Sequence, residues 1–442
     1  MRLWASEVAV ATGGTLIGDD VLLDGATQDS RAVTANCLFV PLVAGRDGHD
    51  FVADAMEAGA GASLWQKGRD PVSQPVVLVA DTGVALGDLG RAARRSVGAA
   101  GSRVVGITGS VGKTSTKDLV AAVLARGGTT HASTRSFNNE IGVPLTLLGS
   151  PSDADYLVVE MGARREGDIT DLSAMSLPDV GVLTTVASAH TGVFGSVESV
   201  ARAKGEIFDR LPLDGCAVVH ADVEEALAQA GRARCQVVTF GDRGEVRARS
   251  VRLDADLRPT FQMESPWGRS EVLLEARGAQ MVPNALAAAA VGLVEGLALE
   301  EVVAGLAEAR LSPWRMDVAT ARSGCTVVND AYNANPTSTL AALNALAALP
   351  GNGRRIAVLG VMAELGDESS AAHAEVARHA ESLGVEVFAV ETDLYGLVGL
   401  DGTETALGAL TRRSLGTGDA VLIKGSRVAG LELIAERLLG GE

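Results

Sequence analysis

Residues 103–126 read RVVGITGSVGKTSTKDLVAAVLAR, and this stretch decides the fold. Val104–Thr108 is a short β-branched apolar run of the kind that fills a buried strand, and Thr114–Arg126 repeats its apolar residues at helical spacing. Between them lies Gly109-Ser110-Val111-Gly112-Lys113-Thr114, followed by Ser115. A strand, a glycine loop and a helix start form the context that a nucleotide phosphate requires. Gly109 and Gly112 let backbone N–H groups close around phosphate oxygens, aided by the helix N-terminus. Lys113 would reach the β- and γ-phosphates, and the Thr114 hydroxyl would ligate magnesium. The common form of this loop has glycine where Ile107 stands, so this is a shortened variant. An ordinary glycine-rich turn is the competing reading, and Gly-Lys-Thr at a helix start weighs against it.

Outward from this loop, apolar strands alternate with amphipathic helices. Tyr156–Glu160, Asp179–Val186 and Cys216–His220 read as buried strands, with a helix at Ser196–Leu211. That alternation predicts a mostly parallel sheet with helices on both faces. Val246–Leu274 alternates like antiparallel strands, and two Ala/Leu-rich helices follow, Asn284–Glu295 and Glu300–Ala309. Pro313 and Trp314 mark a break, after which the alternation restarts: Thr326–Asp330, Arg355–Leu359, Val385–Val390 and Ala420–Lys424 as strands, with helices between. Before the loop, Leu38–Leu42 and Val76–Ala80 are short β-type runs, and Arg91–Ser102 turns small, basic and Gly/Ala-rich. The expected fold class is α/β in three domains: a small α/β domain over residues 1–98, a central phosphate-loop domain over 99–311, and a doubly wound domain over 312–442. A length of 442 residues suits several cores rather than one.

A formal charge of -17 disfavours nucleic acid as a partner, because phosphate-backbone binding needs a basic surface. The opening MRLWASEVAV has no basic stretch leading into an apolar core, so no signal peptide is expected. The longest apolar run, around Ala285–Val294, is too short for a membrane span. Cys37, Cys216, Cys235 and Cys325 are scattered without metal or redox spacing and read as buried small residues in a reducing cytoplasm. A cytoplasmic monomer is the expectation.

GITGSVGKTSTKD (106–118) resembles the Mur ligase family. SFNNEIGVPLTLL (136–148), VVEMGARREGDI, AHTGVFGSVESVARAKGEIF, NDAYNANPTS, VLGVMAELGD and VLIKGSRVAGLE are similar to its D-alanyl-D-alanine-adding branch, and DSRAVTANCLFVPLVAGRDGHDF extends the likeness back to Asp29. The resemblance implies an N-terminal domain for a UDP-sugar, a central ATP-binding domain and a Rossmann-like C-terminal one. It implies ATP with magnesium, two ions in all, a UDP-N-acetylmuramoyl-tripeptide and D-alanyl-D-alanine as partners, and an acyl phosphate on the way to an amide.

Site residues follow from the same likeness. Glu160, at a strand end, would bind magnesium with Thr114; a helix cap is the other reading. His190 would be a further metal ligand, though a lone histidine is more often a surface or core residue. Lys204 would be carbamylated and hold a second magnesium; without the family it reads as a solvated lysine. Asn138 and Asn139 would lie near the γ-phosphate and substrate, or simply form a turn. Asn284 would sit near the adenine and also suits a helix N-cap. Arg315, Asp330 and Asn333 would contact the nucleotide, and Lys424 the peptide carboxylate or incoming dipeptide, against a surface-lysine reading. Ser30 and Arg31 would touch the uridine diphosphate, or form a polar turn. Arg164-Arg165 and the TTVAS preceding His190 depart from the family pattern. The sister ligase that adds the third amino acid is the rival, but its Asp-Asn-Pro-Arg run is missing; a GTPase switch would need Asn-Lys-x-Asp, which is also missing.

Overall fold

The computed structural model describes residues 1–69, 74–134, 136–187 and 194–440. Among the described residues three large sheets follow one another along the chain, beside a two-stranded and a three-stranded one. The first has five strands in the order Thr15–Ile17, Val76–Val79, Ala62–Gln66, Leu38–Phe39 and Ala26–Thr27, antiparallel only at its Thr15–Ile17 edge. The small, basic stretch from Arg91 forms the second half of a helix, Thr82–Ala99, whose N-cap Asp81 accepts from Val84 N at 2.8 Å. Arg94 on that helix donates to Ser176 O at 2.7 Å and Leu177 O at 3.0 Å. One apolar cluster therefore runs from Leu38 and Leu64 through Leu86 and Val97 to Val104, Leu157 and Val159 of the next sheet.

The middle sheet is parallel throughout, with six strands in the order Gln236–Phe240, Cys216–His220, Val180–Leu183, Arg103–Thr108, Tyr156–Glu160 and Thr130–Ala132. Side chains alternate between its faces: Val104 joins the cluster shared with the first sheet, while Val105 and Ile107 join a second one with Leu119, Leu286 and Ala290. Helices Lys113–Leu124 and Met281–Val294 cover that second face. Ile107 is fully buried in its strand, which is why the phosphate loop begins only at Gly109. The alternating stretch becomes a separate antiparallel sheet of Arg247–Leu253, Pro259–Ser265 and Gly268–Leu273.

The expected helix Ser196–Leu211 is shorter, Val197–Gly205, and tightens into a 3-10 turn at Glu206–Phe208. Glu206 is drawn inward there, accepting from Gly167 N at 2.7 Å and Thr170 N at 2.9 Å. In the connector to the third sheet, Asp118 accepts from Ser312 N at 2.6 Å. The third sheet runs Asp317–Thr320, Thr326–Asn329, Ala420–Lys424, Arg355–Leu359 and Glu386–Ala389, antiparallel only at its first strand. Among the described residues no helix is long and apolar enough to cross a membrane.

Candidate active site

The phosphate-loop end of the middle sheet and the Lys424 end of the third sheet open on one cavity of about 520 Å³, a size typical of ligand sites. Both contributions are carboxyl ends of parallel strands, where open α/β sheets place ligands.

Gly109 and Gly112 have φ of +149° and +86°. A Cβ at Gly109 would sit 1.9 Å from Thr184 Oγ1, and one at Gly112 would sit 2.4 Å from Asn284 Oδ1. The loop thus has room only for glycine at both places. Lys113 opens the helix and folds back to donate from Nζ to Gly109 O at 2.8 Å. Burial pulls its pKa down, Glu160 and Glu364 oppose that shift, and Arg315 adds to it.

Glu160 is 1% exposed, yet both its oxygens are engaged. Oε2 accepts from Thr114 Oγ1 and Oε1 from Asn138 Nδ2, each at 2.8 Å. Thr114 Oγ1 also accepts from Arg315 Nη2 at 3.0 Å, across 201 positions of sequence. Arg315 lies over the Tyr332 ring at 4.0 Å, between Trp314 and Met316, both left-handed with φ of +63° and +57°. Left-handed backbone on both sides of one arginine is costly for residues with a side chain, so the surrounding structure must hold it.

On the third-sheet side, Lys424 is 2% exposed, so it is no surface lysine. Its Nζ donates to Asp330 Oδ2 at 2.5 Å and Asn333 O at 2.9 Å. Asn333 spends its own Oδ1 on Ala334 N at 2.9 Å. Asn335, which also lines the cavity, caps the helix Pro336–Ala348.

Several expected residues stand apart from the cavity walls. Asn139 uses Oδ1 to accept from Gly142 N at 2.9 Å, the turn-forming reading. Asn284 does line the cavity but is no N-cap, since its helix already begins at Met281 with Gln280 as the cap. Ser30 and Arg31 form a 3-10 turn in the first sheet's region, with Arg31 Nη2 2.9 Å from Asp29 Oδ2. Lys204 is 1% exposed rather than solvated, and among the described residues its Nζ has no hydrogen-bond or ion-pair partner. Burial, reinforced by the Lys113 charge, lowers its pKa to about 7. His190 lies outside the described residues. Ser110 and Ser115 line the cavity with the rest of the loop.

Many lining residues had no role in the sequence reading, polar Tyr332, Glu364 and His220 among them. Tyr332 and Glu364 stand inside quoted motifs but were given no role, and His220 ends a parallel strand as Glu160 does. Its Nδ1 is buried, and among the described residues has no partner.

Two family models match the chain: the Mur ligase middle domain over residues 107–292, and the Mur ligase, glutamate ligase domain over 314–427. Among curated relatives, the UDP-N-acetylmuramoyl-tripeptide--D-alanyl-D-alanine ligase of Escherichia coli is 36% identical over 98% of this chain and 97% of its own. The Mycobacterium tuberculosis enzyme of the same name is 38% identical over 100% and 98%. Among solved structures, MurF from Acinetobacter baumannii superposes with a TM-score of 0.88 at 30% identity, covering 99% of both chains. MurF from Thermotoga maritima in complex with ADP gives 0.80 at 29% identity over 94% and 97%.

Proposed function

This chain belongs to the Mur ligase family, and we propose that it joins D-alanyl-D-alanine to UDP-N-acetylmuramoyl-tripeptide, converting ATP to ADP and phosphate. Relatives alike over their whole length bear names that describe this reaction. The sister ligase for the third residue is less supported: a solved diaminopimelate ligase shares 17% identity and a TM-score of 0.53, a likeness of fold alone. The observation that carries the reading is the single cavity in which the Gly109–Thr114 loop, the buried Glu160 and the Lys424–Asp330 pair meet.

A carboxylate resists nucleophiles because of its own charge and lacks a good leaving group; an acyl phosphate removes both obstacles. The protein must hold two anions together, so its cations matter most. In this reading the triphosphate lies along Gly109–Ser115, and Lys113 leaves Gly109 O for a phosphate oxygen. Arg315 adds a second cation, while Asn284 lies towards the adenine and Asp330 and Asn333 towards the ribose. Asn138 and Asn139 lie near the tripeptide's acid, Ser30 and Arg31 hold the uridine diphosphate, and Lys424 faces the dipeptide side.

The Thr114 hydroxyl and Glu160 carboxylate, 2.8 Å apart, are hard oxygen donors of the kind magnesium takes, so they fit that ion, with His190 as a further ligand. Bound there, magnesium supplies charge neutralisation to the phosphates. Lys204 is the candidate for carbamylation: a buried amine whose pKa falls to about 7 is substantially neutral at that pH, and the neutral amine is the form that adds carbon dioxide. Its carbamate would give a second ion oxygen ligands. A cytoplasmic monomer completes the reading.

Phosphate release with ATP, the UDP-muramoyl-tripeptide and D-alanyl-D-alanine, followed by product mass, tests it. Lys113→Ala should lower turnover by about a thousandfold or more. Turnover with diaminopimelate on the dipeptide precursor, and none with D-alanyl-D-alanine, would assign the sister reaction instead.

A further inference from the structure

Thr114 is 3% exposed and its hydroxyl is fully used. A hydroxyl has one proton and two lone pairs. The proton goes to Glu160 Oε2 at 2.8 Å, since a carboxylate only accepts. Ser136 Oγ, 2.8 Å from Thr114 Oγ1, is then the donor of that pair, and Arg315 Nη2 donates to the remaining lone pair at 3.0 Å. Magnesium takes a hydroxyl through a lone pair, so it reaches Thr114 Oγ1 only when one of these two donors leaves.

Arg315 is the donor suited to leave. A guanidinium and a divalent cation repel each other at one oxygen, whereas the Ser136 hydroxyl is neutral. The backbone on either side of Arg315 is pinned, with Trp314 N donating to Asp317 Oδ2 at 2.6 Å and Met316 N to Asp330 Oδ1 at 3.2 Å. The head group is held less firmly. It rests over the Tyr332 ring at 4.0 Å, an attraction that tolerates sliding across the ring face. Its Nε is buried and among the described residues has no partner, so the bond to Thr114 leaves donors unmet. A planar fork of five N–H donors matches a phosphate better than it matches one hydroxyl. We infer that Arg315 makes metal and nucleotide binding interdependent: it withholds the Thr114 hydroxyl from magnesium until a polyphosphate draws the guanidinium away. The inference rests on the magnesium and ATP use proposed above. Such coupling is reciprocal, so whatever factor the phosphates add to the metal's affinity through Arg315, the metal adds to theirs.

Manganese, which also takes oxygen ligands, can be titrated into nucleotide-free protein and the free ion followed by its paramagnetic resonance. Arg315→Met keeps an apolar chain beside Tyr332 and should raise the affinity of one manganese site about tenfold or more. Glu160→Gln in the same chain should abolish that gain. Without metal, Arg315→Met should bind a non-hydrolysable ATP analogue about tenfold more weakly, so the two affinities move in opposite directions. Loss of any cavity cation favours a metal, and Lys113→Met measures that general effect, because Lys113 Nζ bonds Gly109 O rather than Thr114. Its manganese gain should be clearly smaller. Arg315→Gln, also uncharged, should move the same way as Arg315→Met, which keeps the test open if the methionine variant folds poorly. Equal gains in Arg315→Met and Lys113→Met, or no gain in either Arg315 variant, overturn the inference. Manganese affinities indifferent to Glu160→Gln throughout would overturn the magnesium assignment itself, and an unaltered protein that binds no ATP analogue would overturn the ligase reading; the inference falls with either.

Discussion

Replacing Lys204 by methionine exchanges a buried amine for an apolar chain of similar length, so packing in the helix Val197–Gly205 is kept while the titrating group disappears. Lys204 is 1% exposed, and its pKa falls from 10.5 to about 7 because burial, with Lys113 nearby, disfavours the ammonium. At about 1.36 kcal/mol per pH unit, that drop amounts to about 5 kcal/mol against the charged form in the folded state. The unfolded chain keeps the proton up to its ordinary pKa of 10.5, whereas the folded chain gives it up above about 7. Between those values the unfolded state binds more protons, so stability rises with pH, by at most about 1.4 kcal/mol per unit. Below that window both states are protonated and the whole penalty stands. Urea unfolding in carbon-dioxide-free buffer should find Lys204→Met more stable at about pH 6, with its lead shrinking by about 3 kcal/mol on reaching about pH 9.5. Turnover should be lost at every pH. Bicarbonate should narrow the gap for the unaltered protein alone, since a carbamate removes the ammonium. A stability difference that stays flat across this range would refute the claim that Lys204 is buried without a counter-charge.

Gly112→Ala places a side chain at φ +86° and 2.4 Å from Asn284 Oδ1, costing about 1–2 kcal/mol in backbone strain alone. Calorimetric titration should show ATP binding weakened by about tenfold or more, and Asn284→Ala in the same chain should recover part of the stability but not the strain. Arg94→Met removes the donors to Ser176 O and Leu177 O from a side chain that is 9% exposed, so urea unfolding should show a loss of about 2–4 kcal/mol. Glu160→Gln keeps an acceptor for Thr114 Oγ1, so stability should hold within about 1 kcal/mol. Phosphate release by that variant should demand far more magnesium, and an unchanged magnesium titration would remove Glu160 from the metal site.

Buried parallel strands are legible because they are apolar on both faces: Tyr156–Glu160, Cys216–His220, Arg355–Leu359 and Ala420–Lys424 lie where their β-branched runs begin and end. The small-residue stretch from Arg91 is helical for a physical reason. Glycine and alanine suit a linker, but they equally suit a helix pressed against a neighbour. A Cβ on Gly90 would lie 2.6 Å from Pro144 Cβ, so smallness there serves close packing. Asn284 looked like a cap because polar residues before an apolar run usually are, yet the helix starts earlier and places Pro283 in its first turn.

The site divides along the same line. Gly109 to Ser115 can be read directly because they are neighbours in the chain, and strand ends locate Glu160 and Lys424; applied evenly, that rule also finds His220. Pairings such as Arg315 with Thr114, or Asp330 with Lys424, join residues 201 and 94 positions apart and emerge only with the fold. Glu364, with φ of +65°, is the hardest case. Nothing intrinsic to glutamate favours the left-handed region, so its placement comes from Tyr395, His373 and Ser426, which hold the backbone just before it. Those side chains lie 35, 11 and 63 positions further along the chain than the backbone groups they hold, so no local pattern announces the placement.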